Sequence, residues 1–257
     1  MRHRRYFRRR FSSFQKTVAS SLFPNGAPVV VQTGPFRSLR YLDEIVWGSI
    51  TPKWLGSYEA ELAPILDRIV RRNYRTIADV GCAEGYYAVG LAVALPSARV
   101  AAFDTDFISR RQLKRLADLN GAEARIDIRG FCRHAELNAL AGFSSLVICD
   151  IEGAEIDLLE PAVIPRLRQS DVLVEVHETL PNSIRVEETL CARFSASHRI
   201  ERFVAGDRRE WIEKNASNLT LPRKLLRQAT DEHRATGRVW LWMESMEEEA
   251  RDAEMVG

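Results

Sequence analysis

Apolar residues along this chain follow two periods, one of helices and one of strands. Between residues 58 and 72 they recur with the spacing of one helical face, at Leu62, Ile65, Leu66 and Ile69. Pro64 lies inside this pattern, so the helix either begins after it or is kinked there. From residue 76 onward, short apolar runs predict strands at Thr76–Val80, Arg99–Phe103, Ala124–Arg129, Ser145–Cys149, Val172–Val176, Ile200–Val204 and Arg238–Met243.

Helical patterns separate most of these strands. They predict helices at about Tyr86–Leu95, Asp106–Asn120, His134–Leu140, Gly153–Leu159 and Ile184–Ser195. Strands that alternate with helices imply a parallel sheet covered by helices on both faces. We therefore predict a doubly wound, Rossmann-like α/β fold with a seven-stranded, mostly parallel sheet. No strong helix separates the last two strands, so we expect the seventh strand to be antiparallel.

Polar and charged segments suggest how the rest of the chain is organised. The start carries six arginines, at positions Arg2, Arg4, Arg5, Arg8, Arg9 and Arg10. The end carries six acids, at positions Glu244, Glu247, Glu248, Glu249, Asp252 and Glu254. We predict a largely irregular basic arm over residues 1–40, a folded domain over 41–243 and an acidic disordered tail over 244–257. Residues 206–236 are basic and irregular and are expected to form a lid or an edge insertion, with a short helix near 221–228.

Composition narrows the class of protein. The 257 residues are 46% hydrophobic and 28% charged, which fits one globular α/β domain with additions. The net charge of +2 selects no class of partner. The basic start has no apolar region after it, so we expect neither a signal peptide nor a membrane span. Four cysteines, Cys82, Cys132, Cys149 and Cys191, form no CxxC pair or zinc spacing, which favours free thiols in a reducing, cytoplasmic setting.

The stretch from Ile77 to Tyr86, IADVGCAEGY, is the most informative in the chain. It predicts a strand, a glycine turn and the start of a helix, the usual place to hold a nucleotide-like cofactor. It fits neither the dinucleotide fingerprint G-x-G-x-x-G nor the phosphate loop. Asp79, Gly81 and Gly85 instead form D-x-G-x-x-x-G, which resembles the first motif of class I S-adenosylmethionine (SAM) methyltransferases. The alternative is an ordinary strand–turn–helix corner.

Ligands of open parallel sheets bind beyond the carboxyl ends of the strands, so each strand end is a candidate site wall. Asp104 follows the second strand, about 20 residues past the glycine loop, where an acid can accept hydrogen bonds from both ribose hydroxyls. Asp106 is the better candidate for a helix cap. Asp104 could also be a solvated turn acid. After the third strand, Phe131 or Cys132 would pack on an adenine ring or belong to the core.

Acids and a histidine follow the fourth and fifth strands. Asp150 and Glu152 would point to the same side of an extended chain, to orient a substrate hydroxyl, act as a general base or bind a hard cation. Alternatively Asp150 caps the next helix, and Glu152 or Glu155 pairs with its dipole. His177 follows the fifth strand and is expected opposite Asp150, as a base or a ligand.

Together these segments resemble the motifs of FkbM-type methyltransferases. The resemblance spans residues 58–204 and rests on D-x-G-x-x-x-G-Y-Y at 79–87, A-F-D at 102–104, C-D-I-E-G-A-E at 149–155 and V-E-V-H-E at 174–178. It implies a SAM-dependent transfer of a methyl group, usually to a hydroxyl oxygen of a small molecule or a glycan. The folded domain would then be the methyltransferase domain. Cys82, Glu84 and Asp104 depart mildly from the residues common in the family.

The resemblance also implies roles for individual residues. Gly81, Ala83 and Gly85 would line the methionine part of SAM, Asp104 would hold the ribose and Asp150 would lie near the methyl group. The full predicted cofactor set is Asp79, Gly81, Cys82, Ala83, Gly85, Tyr86, Asp104, Phe131 and Asp150. Asp150 or His177 would take the hydroxyl proton. A divalent metal that lowers the pKa of the hydroxyl is an open option, with ligands among Asp150, Glu152, His177 and Glu178.

Two other functions stay open at this stage. The basic arm and the basic residues of the insertion would suit RNA binding or an RNA methyltransferase, through Arg208, Arg209, Lys214, Arg223, Lys224, Arg227, Arg234 and Arg238. No N-P-P-Y-like motif follows the fourth strand, which disfavours methylation of a base nitrogen. A fold that has lost its activity and serves as a partner module is the third option.

Overall fold

The computed structural model describes residues 12–44, 48–178, 185–234 and 237–247. The chain forms two compact units. The first comprises the described residues up to Ala60 together with Asp207–Arg234. The second comprises Glu61–Gly206 together with the described residues from Gly237 onward. The segment predicted as an insertion therefore belongs to the same unit as the N-terminal residues.

A seven-stranded sheet is the centre of the second unit. Its strands are β1 (Thr76–Val80), β2 (Arg99–Phe103), β3 (Ile126–Arg129), β4 (Ser145–Cys149), β5 (Asp171–Val176), β6 (His198–Val204) and β7 (Val239–Ser245). They lie in the order β3-β2-β1-β4-β5-β7-β6. β7 is antiparallel to both of its neighbours, and the other pairs are parallel. The predicted doubly wound sheet and its antiparallel seventh strand are confirmed.

Both units contain α-helices. In chain order they are α1 (Ser13–Leu22), α2 (Ile50–Leu55), α3 (Ala63–Arg72), α4 (Tyr86–Ala94), α5 (Phe107–Leu119), α6 (His134–Leu140), α7 (Glu155–Leu158), α8 (Val186–Phe194), α9 (Arg209–Asn215) and α10 (Arg223–Ala229). In the described part of the chain, no helix combines the length and the apolarity that crossing a bilayer requires.

Local chemistry explains where the predicted helices begin and end. α3 begins at Ala63, and Pro64 lies in its first turn, where a missing N–H costs nothing. Asp106 caps α5, because its carboxylate accepts the N–H groups of Ile108 and Ser109. β3 begins two residues later than predicted, at Ile126, because a 3₁₀ turn occupies the residues before it.

Three helices of the first unit were not predicted. α1 lies in the segment expected to be largely irregular, and it forms because Ser12 and Gln15 make a capping box. Val18 and Leu22 then bury one face of this helix. α2 is buried along its whole length, so it shows no polar face in the sequence. α9 is polar and buries only Ile212, so it shows no apolar period.

The core of the second unit lies on the central strands. β4 and β5 are buried at every position, as strands with both faces covered should be, although β5 carries the acids Asp171 and Glu175. α4 is also apolar all round, and seven of its nine residues are buried, so neighbours cover it on several sides. The helix after the glycine turn is therefore rigidly held.

The first unit is held by an aromatic core and by ion pairs. Trp54 is fully buried, donates its indole N–H to the carbonyl of Leu42 at 2.9 Å and meets the Phe23 ring edge-on at 5.7 Å. The ion pair Arg234–Glu59 joins the residues around Tyr58 to the segment predicted as an insertion, and the pair Arg208–Glu232 lies within that segment. Arg208 and Arg234, two of the basic residues considered above for RNA binding, are thus paired with carboxylates within this unit.

A buried acid organises the edge of the sheet where β5 begins. Asp171 is fully buried and accepts hydrogen bonds from Arg72 at 2.6 Å, from the Ser245 N–H at 2.7 Å and from the Tyr74 hydroxyl. Burial lowers the pKa of Arg72, but Asp171, Tyr74 and Glu244 raise it by more. The pKa therefore lies above its usual value, and the guanidinium stays charged. Helix α3 is thereby tied to β5 and β7.

The predicted acidic tail begins too early. Glu244 lies in β7, with its side chain only 12% exposed, and it pairs with Arg72. This residue is therefore part of the sheet, because a cationic partner on α3 compensates its charge. The tail from residue 248 onward and the six arginines of the basic arm lie outside the described residues, as do Ile45, Val46 and Trp47.

We expect Asp171→Ala to destabilise the protein by about 2–4 kcal/mol, because it leaves the buried end of Arg72 and the Ser245 N–H without their acceptor. The matched control is Asp127→Ala, which removes an acid that is 61% exposed and pairs with Arg129. It should change stability by less than about 0.5 kcal/mol. Urea unfolding followed by circular dichroism measures both, and equal losses would show that Asp171 is not a structural hub.

Candidate active site

The loops after β1, β2 and β4 are joined by backbone hydrogen bonds at the carboxyl edge of the sheet. The N–H groups of Gly81 and Cys82 both donate to the carbonyl of Phe103, at 2.8 and 3.0 Å. The N–H of Asp150 donates to the carbonyl of Val80 at 2.9 Å. Connections leave β1 and β4 in opposite directions along the sheet, so this is its switch point, where such folds bind ligands.

Gly81 is required by this junction. A Cβ at position 81 would lie 1.6 Å from the carbonyl oxygen of Asp150, and the φ angle of Gly81 is +86°. Gly85, with φ +94°, begins helix α4 with no side-chain cap and faces Leu113, which a Cβ would approach to 2.8 Å. Both glycines of the predicted motif are therefore needed for close approach as well as for backbone conformation.

Asp104 is part of the glycine loop. One carboxylate oxygen accepts the N–H of Ala83 at 2.9 Å, and the other accepts the N–H of Asp106 at 2.7 Å. Burial raises the pKa of Asp104, and these two N–H groups oppose that shift without cancelling it. A carboxylate has about four lone-pair sites, so after these two bonds each oxygen can accept one further donor. Asp104 is therefore held by hydrogen bonds within the loop, unlike the solvated turn acid that was the alternative interpretation of this residue.

Two further acids of the loop are buried. Asp79 and Glu84 are 2% and 1% exposed, respectively. Together with burial, the charges of Asp79, Asp104 and Glu84 hold the pKa of the Cys82 thiol well above its usual value. Cys82 therefore remains a neutral, small packing side chain, as do the other cysteines, which form no disulfide in the described chain.

The aromatic candidates differ in burial. Tyr86 is 4% exposed and packs edge-on against Tyr87 at 5.3 Å, so it shapes the start of α4. Phe131 is 64% exposed beside Arg133, at 5.9 Å, whereas Cys132 is buried. Of the two residues proposed for the adenine ring, Cys132 belongs to the core, and Phe131 presents an open ring face.

His177 lies at the centre of a cluster of charged side chains beyond β4 and β5. Its Nδ1 is 2.9 Å from Glu155 Oε1. Its Nε2 is 3.8 Å from Asp150 Oδ1, 3.4 Å from Glu152 Oε2 and 3.7 Å from Glu175 Oε2. His177 and Glu175 are buried, whereas Asp150 is 23% exposed and Glu152 is 74% exposed, so these two acids form the solvent side of the cluster. The structure thus brings the two predicted catalytic residues together.

Arg238 completes this cluster from the start of β7. Its NH1 donates to Glu175 Oε1 at 2.9 Å and lies 3.2 Å from His177 Nε2. A guanidinium can only donate, so Nε2 must be the acceptor in this contact. The proton of the neutral imidazole then resides on Nδ1 and is donated to Glu155.

Opposing influences act on the His177 ring. Burial lowers the pKa of His177, but the hydrogen bond to Glu155 and the charges of Glu175 and Glu152 raise it above its usual value. Arg238 acts against them, because its N–H needs the lone pair of the neutral ring. Burial raises the pKa of Glu155, but the bonds from His177 and the Gly153 N–H lower it overall, so Glu155 is the ionised partner.

The remaining predicted residues have other positions. Glu155, rather than Asp150, organises the start of α7, because it accepts the N–H groups of Ile151 and Gly153. Glu152 has a φ of +57° and a side chain 74% exposed, so it reaches the cluster from solvent. Glu178 is not in the cluster: it accepts the N–H groups of Val186 and Glu187 at the start of α8.

Sequence reasoning missed Glu175 and Arg238. Glu175 lies two residues before His177 on β5, so the period of a strand places both side chains on the same face. That signal was present in the sequence. No signal in the sequence located Arg238, since its position near His177 follows from the antiparallel pairing of Val239 with Val176.

Three side chains of the cluster have metal-ligand spacing. One ligand atom each from Asp150, Glu175 and His177 lie within 4.8 Å of one another. The histidine Nδ1–H bond to Glu155 is the kind of outer contact that orients metal-ligating imidazoles. Arg238 contacts two of the three, however, so a metal ion would have to displace a guanidinium.

Comparison with known proteins finds a similarity of backbone fold to solved structures. No protein-family model and no curated protein matches the chain. Among solved structures, the chain is similar to the O-methyltransferase TomG from Streptomyces achromogenes, involved in tomaymycin synthesis and crystallised with SAM, at 12% identity over 92% of this chain and 91% of that chain, with a TM-score of 0.48.

Two other solved structures are similar. One is an O-methyltransferase from Bacillus cereus in complex with SAH, at 12% identity over 69% of this chain and 77% of that chain, TM-score 0.46. The other is a methyltransferase from Geobacter sulfurreducens, at 13% identity over 69% of this chain and 74% of that chain, with a TM-score of 0.39. The seven-stranded mixed sheet with flanking helices matches the Rossmann-like fold of class I methyltransferases. At these scores the likeness says nothing of the chemistry of this chain.

We expect Gly81→Ala to destabilise the protein by about 2–5 kcal/mol, because the new methyl group would overlap the Asp150 carbonyl at an unfavourable φ. Gly130→Ala is the matched control, since a Cβ there has nothing within 4 Å and no positive φ. It should be neutral or slightly stabilising. Chemical unfolding of both variants measures the difference, and a stable Gly81→Ala protein would contradict the close approach.

Proposed function

We propose that this chain is a SAM-dependent methyltransferase that methylates a hydroxyl oxygen. The observation that carries the proposal is a juxtaposition at the switch point of the sheet. The glycine loop with Asp104 and the His177–Asp150 pair are fixed to one another by the contact between Gly81 and the Asp150 backbone. The residues that we propose for holding the cofactor and for taking the proton are therefore adjacent.

The residues present fit this cofactor. Asp104 can accept two more donors, which is what the two hydroxyls of a ribose require. Gly81 and Gly85 leave the loop without side chains at its closest turns, and Phe131 offers an exposed ring for a flat base. When bound, SAM supplies an electrophilic methyl group on a sulfonium.

The chain's own part in the reaction is to orient the acceptor and take its proton. His177 would accept the hydroxyl proton at Nε2, while its Nδ1–H remains donated to Glu155. Glu155 fixes the ring and stabilises the imidazolium that forms. Asp150, which is more exposed than the buried Glu175, would accept a hydrogen bond from a second hydroxyl of the acceptor and hold the reacting oxygen in line for attack.

Within this class we propose the FkbM type, with a small molecule or a glycan as methyl acceptor. The three acids of the segment D-x-E-G-x-E support this, because all of them lie within 4 Å of the His177 ring nitrogens. Asp150 and Glu152 both face His177 Nε2, and Glu155 holds its Nδ1. The free thiols are compatible with the reducing, cytoplasmic setting that we propose for the protein.

Among the described residues, the pairing of the basic side chains gives no support to the RNA alternative. Of the eight basic residues offered to nucleic acid, four pair with carboxylates of the same unit, as Arg208–Glu232, Arg209–Asp207, Arg234–Glu59 and Arg238–Glu175. Charges neutralised internally contribute little to phosphate binding. We therefore do not propose a nucleic-acid substrate.

We expect Asp104→Ala to weaken binding of S-adenosylhomocysteine by about 1–3 kcal/mol, or roughly 5- to 150-fold, because the ribose hydroxyls lose their acceptor. Asp118→Ala, at an exposed position on α5, is the control and should bind normally. Calorimetric titration measures both, with NAD as the comparison ligand. Failure of the native protein to bind S-adenosylhomocysteine would overturn the cofactor assignment.

We expect His177→Asn to lower methyl transfer by about 10²–10⁴-fold, because the general base is lost, while the affinity for S-adenosylhomocysteine stays within about twofold. The control is His134→Asn, which replaces an exposed histidine bonded to the Asp157 carbonyl. Release of S-adenosylhomocysteine over a panel of hydroxylated small molecules and glycans measures turnover. Undiminished turnover in His177→Asn would exclude His177 as the base.

A further inference from the structure

Arg238 has no role in the proposed chemistry so far, yet it contacts the base itself. It precedes β7, and its backbone is fixed because its carbonyl accepts the N–H of Ala205 at 2.8 Å. Its side chain is 28% exposed and reaches the fully buried Glu175 at 2.9 Å. From there the same nitrogen lies 3.2 Å from His177 Nε2.

The contact matters because a neutral imidazole nitrogen has one lone pair. The lone pair of His177 Nε2 can accept the Arg238 N–H, bind a proton or ligate a metal ion, but only one of these at a time. Glu155 on Nδ1 fixes this tautomer, so Nε2 is the atom for which all three compete.

Charge explains why a cation is placed there. Four carboxylates lie within 4 Å of the His177 ring nitrogens, those of Asp150, Glu152, Glu155 and Glu175. Carboxylates gathered around one ring repel one another, and the two buried ones, Glu155 and Glu175, need positive charge or hydrogen-bond donors beside them. A divalent ion could supply that charge, since two of these acids and His177 have ligand spacing.

We propose that Arg238 is the resident cation of this cluster and a positioning residue of the site, and that it takes the place of a divalent metal. It neutralises Glu175 and keeps the lone pair of His177 Nε2 directed into the cluster. If the proposed function holds, an acceptor hydroxyl that enters between them would donate its proton to Nε2 and accept the N–H of Arg238. The guanidinium would then stabilise the oxygen as its proton leaves.

The test is Mn²⁺ binding, followed by electron paramagnetic resonance, to the native protein and to Arg238→Met. Arg202→Met is the matched control, because it removes an exposed arginine of β6 that pairs with Glu187. Arg238→Lys keeps a charge at the same position. The ¹⁵N shifts of the histidine rings, at one fixed neutral pH, report which nitrogen of His177 carries the proton.

We expect native protein and Arg202→Met to bind Mn²⁺ no more tightly than the millimolar range. Arg238→Met should bind one equivalent at least tenfold more tightly, and Asp150→Asn added to it should abolish that gain. Arg238→Lys should behave more like the native protein. The native ring should carry its proton on Nδ1.

Two results would overturn the proposal. One is stoichiometric micromolar Mn²⁺ binding by the native protein, because the ion would then displace Arg238. The other is a folded Arg238→Met or Arg238→Gln protein with native Mn²⁺ affinity and native ring shifts. The native measurement decides even if these variants fail to fold. Neither readout needs SAM or an acceptor, so failure here is distinct from failure of the proposed methyl transfer.

Discussion

The approach of Gly81 to the Asp150 carbonyl is the constraint on which the site depends. A Cβ at this position would be 1.6 Å from that oxygen, so the chain after β1 and the chain after β4 touch through backbone alone. Because the Val80 carbonyl also accepts the Asp150 N–H, the first residue beyond β4 is fixed relative to the glycine loop. The position of Asp150 in turn fixes the segment that follows it as far as Glu155. The hydrogen bond between His177 and Glu155 then fixes His177 as well. The distance between cradle and base is thus set by main-chain packing.

The sheet buries acids at both ends of its strands, and their partners distinguish the two ends. At the start of β5, Asp171 has a guanidinium, a hydroxyl and a backbone N–H directed at it. Such a fully satisfied group rigidifies the fold. At the end of the same strand, Arg238 pairs with Glu175 and contacts His177, whose ring nitrogens lie within 4 Å of four carboxylates. Such a gathering of titratable groups around one histidine is typical of a site that takes up a proton or meets a cation.

Much of the fold could be predicted from sequence because the second unit follows simple periods. β1, β2, β4 and α6 begin and end where the pattern placed them, and Asp106 caps α5 as expected. The first unit was harder to predict because its stability comes from Trp54 and from contacts between distant segments, such as the ion pair of Arg234 with Glu59, 175 residues apart in the chain. For the site, strand ends located Asp104, Asp150 and His177, but a strand end does not reveal how charge is compensated. Glu178 was therefore preferred to Glu175, which is the residue in contact.

The antiparallel seventh strand explains why the compensating charge escaped prediction. In a parallel sheet, all strands bring their carboxyl ends to the ligand edge, and their amino ends lie opposite. β7 runs the other way, so the residue before it reaches the same edge as the ends of β4 and β5. Arg238 thus comes from a strand start, 61 residues after His177, and only the pairing of Val239 with Val176 brings the two together. A reversed strand thus brings a hydrogen-bond donor to the part of the edge where β4 and β5 supply Asp150, Glu175 and His177.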